Sequence, residues 1–462
     1  MSEFSELLAN YISMSGTNVY KLAIDSNLDR TTLQKMVKGK RLPSFSFIKK
    51  MCFYLKLSKR QEEKLLKLFE IEKYGKDIVD IWNQIEDTFK KIGEYKRRAE
   101  NEKFYKEEFS YDNVARLEHN SVSILQNKND ILKIIIYMIE QEVSEYEYSE
   151  MYMDVSWLSQ CVLEQLAKYL LFDNDVIKCH HLVNLTPSNV IQKDVCENFT
   201  ILRQVLPYTF LFNRNYEVRY AYVSDYNESE EYYLWPHYVV THKHILLFSD
   251  EKSPIIFISD EKLVSAYFEK LNTFIDGYRP FEVRLNNNEL NHMIQGAECS
   301  LIYQKFPEMI LDKEVEENIT DGNEVIYIFG MNGIIEYIEK IKRNKNNART
   351  DEVIDYEIKA IEKLKHIHKH LLKGTYRFYI VKEEYADMCS EVGVKIFENN
   401  AIEMSVTDNS RDAFRVVIDE PGICRLFKSY FVHFLEAEYV YSIEESIVQF
   451  ENVVEAYMTR KL

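Results

Sequence analysis

Between Ser26 and Ser44 the chain reads SNLDRTTLQKMVKGKRLPS, a short segment crowded with side chains that can grip a polyanion. If Arg30 to Lys38 is a helix, Leu33, Met36 and Val37 fall at three- and four-residue spacing and turn inward. Arg30, Thr31, Gln34, Lys35 and Lys38 are then left outward. Guanidinium and carboxamide groups can make paired hydrogen bonds to base edges, while ammonium and hydroxyl groups suit phosphate oxygens. The segment lies in a chain of opposite sign, with 75 acidic and 58 basic residues and a formal net charge of −17. Residues 1–60 hold eleven Lys and Arg against four acids, a net +7 that leaves −24 on the remainder. A basic module on an acidic body is the asymmetry of a tethered nucleic-acid reader. The plainer alternative is the solvated, cation-rich face of a helical bundle.

Five short helical patterns must position these side chains. Phe4 to Met14 places Phe4, Leu7, Leu8, Tyr11 and Ile12 on one stripe and stops at Ser15-Gly16. Thr17-Asn18 caps a second helix reaching Ser26, with Val19, Leu22, Ala23 and Ile24 expected inward. Asn27 takes the connecting position, because Asn tolerates the left-handed conformation of a tight turn better than any residue but Gly. Asp29 caps the third helix and Gly39 closes it. Pro43-Ser44 starts a fourth helix (Phe47, Ile48, Met51, Cys52, Leu55), and Ser58 caps a fifth (Leu65, Leu66, Phe69).

With Ala23, Asn27, Leu28, the run Arg30-Thr31-Thr32-Leu33-Gln34-Lys35 and the exit Gly39-Lys40-Arg41-Leu42-Pro43, residues 1–70 resemble the Cro and lambda-repressor type (XRE-like) of helix-turn-helix domain. Asn27 replaces the family's usual Gly, and Val37 stands where the family often carries Glu, so a structural ion pair is missing. The resemblance implies that the third helix enters the major groove of double-stranded DNA. It further implies that Arg30, Thr31, Gln34 and Lys35 face bases, while Thr32, Lys38, Lys40 and Asn18 hold phosphates.

Beyond the head, Tyr74, Ile78, Ile81, Ile85, Phe89 and Ile92 repeat at steps of three and four with Trp82 beside the seam. Such a helix can pack on the body or pair with its copy, and homodimerisation is expected because one such head binds weakly. Glu94 to Glu108 is a charged hinge or exposed helix end. Residues 110–278 and 279–462 each alternate helical and extended patterns. Extended segments are expected at 150–155, 177–185, 218–223, 232–240, 245–248, 255–258, 301–303, 325–329, 377–381, 394–397 and 414–418. Helices are expected at 131–143, 158–171, 261–275, 334–343, 351–372, 422–438 and 442–457. Two successive mixed domains are read here, with duplication as one origin for them, although no defensible sequence repeat relates the two halves.

The body offers several groups with chemistry. His366 and His370 share one helical face, but without the Glu of an HExxH motif and near a helix C-terminus, where imidazolium is favoured; a structural role is expected over zinc. Cys179, His180 and His181 sit in a strand, whose alternation sends neighbours to opposite faces. Tyr232, Tyr233 and Trp235, flanked by His237, His242 and His244, suit either a pocket or a core, and a core is expected. Gly330-Met331-Asn332-Gly333 after a strand either cradles an anion or makes a tight turn; lacking a P-loop Lys, it is read as a turn. No nucleophile motif is present, so the chain is expected to be no enzyme, with no catalytic residue, metal or cofactor.

Seven scattered Cys without CxxC spacing suit a reducing cytoplasm. The N-terminus lacks the basic start of a signal peptide, and no apolar run approaches a bilayer span. The fold class is therefore multidomain: an all-α helix-turn-helix head (1–70), a helical dimerising neck (71–109) and a mixed α/β (α+β) body in two parts (110–278 and 279–462). The function read from the sequence is a cytoplasmic DNA-binding transcriptional regulator whose body senses a small-molecule or protein effector or drives assembly. The alternative is an enzyme or defence effector whose helix-turn-helix head regulates its own gene.

Overall fold

In the computed structural model the described residues are 2–100, 117, 120–125, 129–155, 159–172, 177–187, 193–212, 215–222, 237–249, 254–283, 299–306, 325–347, 362–372, 376–388, 392–398, 401–406, 415–437 and 439–459. The head is five helices: α1 (Glu3–Met14), α2 (Val19–Ser26), α3 (Arg30–Val37), α4 (Phe45–Tyr54) and α5 (Lys59–Tyr74). Each is started by a small polar residue. Ser2, Asn18, Asp29 and Ser44 accept from the backbone N–H three residues on, and Ser58 forms a capping box with Gln61. These caps satisfy N–H groups that a short helix otherwise leaves orphaned. Phe4, Leu8, Leu22, Leu33, Met36, Ile48, Met51, Leu65 and Phe69 form one buried cluster. Ile24 departs from expectation: it is 62% exposed on the outer side of α2.

Only Gly75, at φ +92°, separates α5 from the long α6 (Lys76–Glu100). Ile81, Ile85, Phe89 and Ile92 of the expected pairing seam are all buried, within a cluster that includes the chain's own body. That seam is thus occupied intramolecularly, because α6 packs along the body helix α9 (Lys193–Leu211). The head is anchored by polar and aromatic contacts to α13 (Pro421–Glu436) and nearby residues. Lys73 Nζ and Tyr74 Oη donate to Glu436 Oε2 at 3.1 and 2.6 Å, and Lys49 Nζ donates to Tyr385 Oη at 3.0 Å. Phe45 meets Tyr439 edge-on, and Ala437 is buried in the head's own cluster. Trp82 of α6 stacks on His433 at 4.1 Å. The head residues named in these contacts lie on α4 and α5.

Among the described residues the body forms two sheets built alike. In the first, β2 (Ser149–Asp154), β3 (Ile177–Leu185) and β4 (Tyr216–Tyr222) run parallel and step outward. On the other side of β2, β5 (His237–Val240), β6 (Ile245–Phe248) and β7 (Ile255–Ile258) form an antiparallel meander. The preceding strand β1 (Val122–Leu125) pairs with β7, and β8 (Arg279–Pro280) pairs with β4. The second sheet repeats this plan. There β10 (Cys299–Gln304), β11 (Val325–Gly330) and β12 (Tyr376–Val381) step outward in parallel. Then β13 (Val392–Phe397), β14 (Ile402–Val406) and β15 (Arg415–Ile418) meander on the far side of β10. The preceding β9 (Glu282–Val283) pairs with β15.

The match extends beyond the strands. Two residues past each meander an acid caps a helix: Asp260 accepts from Leu263 N ahead of α10 (Glu261–Phe274), and Glu420 accepts from Ile423 N ahead of α13. The two halves are therefore one topology used twice, although no sequence repeat marks the relation.

Helices fill the space around the sheets. One continuous apolar core joins Met153, Val183, Val218 and Leu246 of the first sheet to Tyr303, Val394, Met404 and Val416 of the second. Between them lie α6, α7 (Asn129–Glu145), α8 (Ser159–Phe172), α9 and α13. The opposite face of the first sheet is covered by α10 through Val264, Phe268 and Leu271. That of the second is covered by α11 (Met331–Asn347), α12 (362–372) and α14 (Ile443–Thr459). An N-terminal helical region followed by mixed sheets and helices is thus the observed architecture. Of the strands and α-helices described, β1, the two-residue β8 and β9, β14 and α9 were not foreseen, the last carrying Pro207 inside a 19-residue helix.

Candidate nucleic-acid interface

The α2–turn–α3 unit is set by its backbone. Asn27 stands in the left-handed region at φ 51°, ψ 39°. The N–H groups of Asn27 and Leu28 return to the carbonyls of Ile24 and Ala23, closing α2 with a Schellman-type turn. Ala23 is buried, as the crossing of two close helices requires. One residue after Leu28, Asp29 Oδ2 accepts from Thr32 N at 2.6 Å and starts α3. Hydrogen bonds from Thr32 hold the Asp29 carboxyl below its usual range, with a smaller contribution from nearby Arg41.

At the other end, Lys38 caps the helix and Gly39 turns left-handed at φ +65°. Gly39 N returns to Met36 O and Lys40 N to Lys35 O, at 2.9 and 2.8 Å. The backbone carrying Lys38 and Lys40 is therefore as well fixed as the helix itself.

Leu33 and Met36 are fully buried beneath α3, while Arg30, Thr31, Gln34, Lys35, Lys38 and Lys40 are exposed on and beside it. Asn18, also exposed, spends its carbonyl oxygen on Lys21 N at 2.9 Å, which leaves its amide N–H groups as the available donors. Thr32 corrects the expectation. It is only 7% exposed, and its hydroxyl accepts from Arg41 Nη1 at 3.4 Å, so it braces the exit of α3 from within. Val37 is half-buried against the head's apolar cluster.

One residue escaped the sequence reading. Tyr20 on α2 is 56% exposed, and the Arg30 guanidinium lies over its ring at 4.9 Å. Its position one residue after Val19 gave no signal, because only the turn geometry brings the start of α3 over the second residue of α2.

Cys179 and His181 point into the inter-sheet core, where burial pushes the thiol up and holds the imidazole down to about 4. His181 Nδ1 meets Tyr216 Oη at 2.8 Å. His180, on the opposite face, stacks on Tyr152 and pairs with Glu217. His368 Nε2 pairs with Glu451 at 2.8 Å, and the rings of His366 and His370 lie 4.6 Å apart. His242 Nδ1 meets the buried Glu142 carboxylate at 2.6 Å. Among the described residues no three His, Cys, Asp or Glu side chains gather to hold a metal.

A Cβ on Gly333 would stand 2.0 Å from Lys305 O, so this glycine lets another segment pack against the first turn of α11. Tyr232, Tyr233, Trp235, residues 101–108 and 351–361, and Cys389 lie outside the described residues; Cys52, Cys161, Cys179, Cys196, Cys299 and Cys424 are free thiols. No described helix is long and apolar enough to cross a membrane.

No family model and no curated protein matches the chain. Among solved structures it is similar to TrmBL2, an archaeal chromatin protein described as showing a novel mode of DNA binding, at a TM-score of 0.23 and 14% identity. That alignment covers 40% of this chain and 62% of the TrmBL2 chain. A superposition at that score carries no weight for either fold or function.

Proposed function

We propose that the chain is a sequence-reading, double-stranded-DNA-binding regulator of the XRE-like helix-turn-helix type, with α3 entering the major groove. The observation that carries this reading is the division of α3. Leu33 and Met36 are sealed in the head, while Arg30, Thr31, Gln34 and Lys35 form a free polar side flanked by Lys38, Lys40 and Asn18. Those side chains combine paired donors for base edges with cations for phosphates. The anchoring of the head through α4 and α5 supports the same reading, since those contacts leave the polar side of α3 exposed.

Two copies on one duplex belong to this proposal, because two heads reach half-sites about one helical turn apart. With the α6 seam buried, pairing must use another surface. Regulation belongs to the body. α13 touches the first sheet at one end, where Tyr222 Oη donates to its cap Glu420 at 2.8 Å, and holds the head at the other, where His433 packs edge-on against Tyr74 and Glu436 accepts from Lys73. A ligand that shifts this helix would shift the head. The body acts here as a sensor without catalysis. Selecting bound duplexes from a random-sequence pool tests the proposal: the wild type should enrich one motif, and Arg30→Ala or Lys35→Ala should lose preference at single base pairs. Recovery of no motif by the wild type at low salt would refute it.

A further inference from the structure

We propose that Tyr20 is a positioning residue for base reading, holding the Arg30 guanidinium by its flat face so that its edge is presented to a guanine. The proposal rests on the DNA-binding reading above and names the base chemistry that the site takes. Arg30 is the first residue of α3, and a long side chain there would ordinarily sample many rotamers. It could be ordered by an ion pair, but that would spend the N–H donors that a reader needs. The nearest acid in sequence, Asp29, is engaged with Thr32 N. The Arg30 guanidinium carbon instead lies over the Tyr20 ring, 4.9 Å from its centroid.

Stacking occupies the π face of the guanidinium and leaves the in-plane donors of its fork free. Two of those donors match O6 and N7 of guanine in the major groove. Tyr20 is held on α2 and Arg30 on α3, and the left-handed Asn27 turn fixes one helix against the other. The preferred base is therefore set jointly by two helices. An arginine ordered before contact gives up less freedom on binding. The phenol hydroxyl has no part in this argument, so phenylalanine should serve as well as tyrosine.

The test is a double-mutant cycle with the full-length chain on the site selected by the wild type, titrated against every single-base variant of that site. Tyr20→Ala is expected to weaken binding about two- to fivefold, the worth of an exposed cation–π contact, with the loss confined to the base pair that Arg30→Ala also affects. Tyr20→Phe should retain affinity and preference, and adding Tyr20→Ala to Arg30→Ala should cost nothing further. The assignment is overturned if Tyr20→Ala matches the wild type, weakens all site variants equally, or costs as much without Arg30 as with it. It is overturned too if Tyr20→Phe behaves like Tyr20→Ala. Failure of the wild type to select any site would instead remove the DNA-binding reading, and this assignment with it.

Discussion

Replacing Lys40 by Ala tests the interface through its salt dependence. The Lys40 backbone is locked by its N–H bond to Lys35 O, and its side chain is exposed, so truncation removes a charge while leaving the helix exit intact. After the correction at Thr32, the cations assigned to phosphates in each head are Lys38 and Lys40. Each phosphate neutralised releases counterions and contributes about −0.9 to the slope of log K against log salt. One head should thus show a slope of about −1.8 and lose roughly twelvefold in affinity between 50 and 200 mM salt; with Lys40→Ala the slope falls to about −0.9 and the loss to roughly 3.5-fold. Two heads on one duplex would double each slope, so the wild-type value also reports stoichiometry. Fluorescence anisotropy with a labelled duplex across that salt range measures both. An unchanged slope in Lys40→Ala, with affinity also unchanged, would refute the phosphate assignment.

Other outcomes follow from the same structure. Thr32→Ala should cost about 1 kcal/mol in urea denaturation by orphaning the Arg41 bond, yet leave the salt slope unchanged. Asn27→Gly should stabilise the chain by up to about 1 kcal/mol, because the position is already left-handed, whereas Asn27→Val should destabilise it by more; thermal melting reads both. Burial raises Glu86 from 4.5 to about 7, with Lys90 and the Tyr430 hydroxyl opposing. The unfolded chain then ionises first, so stability is lost as pH rises from 4.5 to 7 and the loss is complete above that window. Glu86→Gln should therefore gain on the order of 2 kcal/mol at pH 8 and nothing at pH 4, by denaturation at the two pH values.

The head was largely legible because its signals are local. Ser and Asp caps, the three-and-four spacing of Leu33 and Met36, and the turn residues Asn27 and Gly39 each act within a few positions, and each reappears in the structure. Thr32 and Tyr20 were misjudged or missed because their partners, Arg41 and Arg30, lie nine and ten positions away and meet them only through the turns. Strands such as 245–248 and 255–258 were legible from continuous apolar runs. The helix α9 was not, since Pro207 and apolar residues on several sides obscure its period. The duplicated sheet order lay beyond a linear reading: it is a property of strand pairing, and the side chains of the two halves have no recognisable repeat. The fate of the α6 seam was equally invisible, because an apolar stripe does not say whether its cover comes from the same chain or another.

Methylation-protection footprinting on the selected duplex tests groove entry by α3 most directly, since the reagent reports guanine N7 in the major groove. The wild type should protect guanine N7 within the site, and Arg30→Ala should re-expose one such position per half-site while the rest stay covered. Binding without any N7 protection, or an identical footprint for Arg30→Ala, would contradict the account.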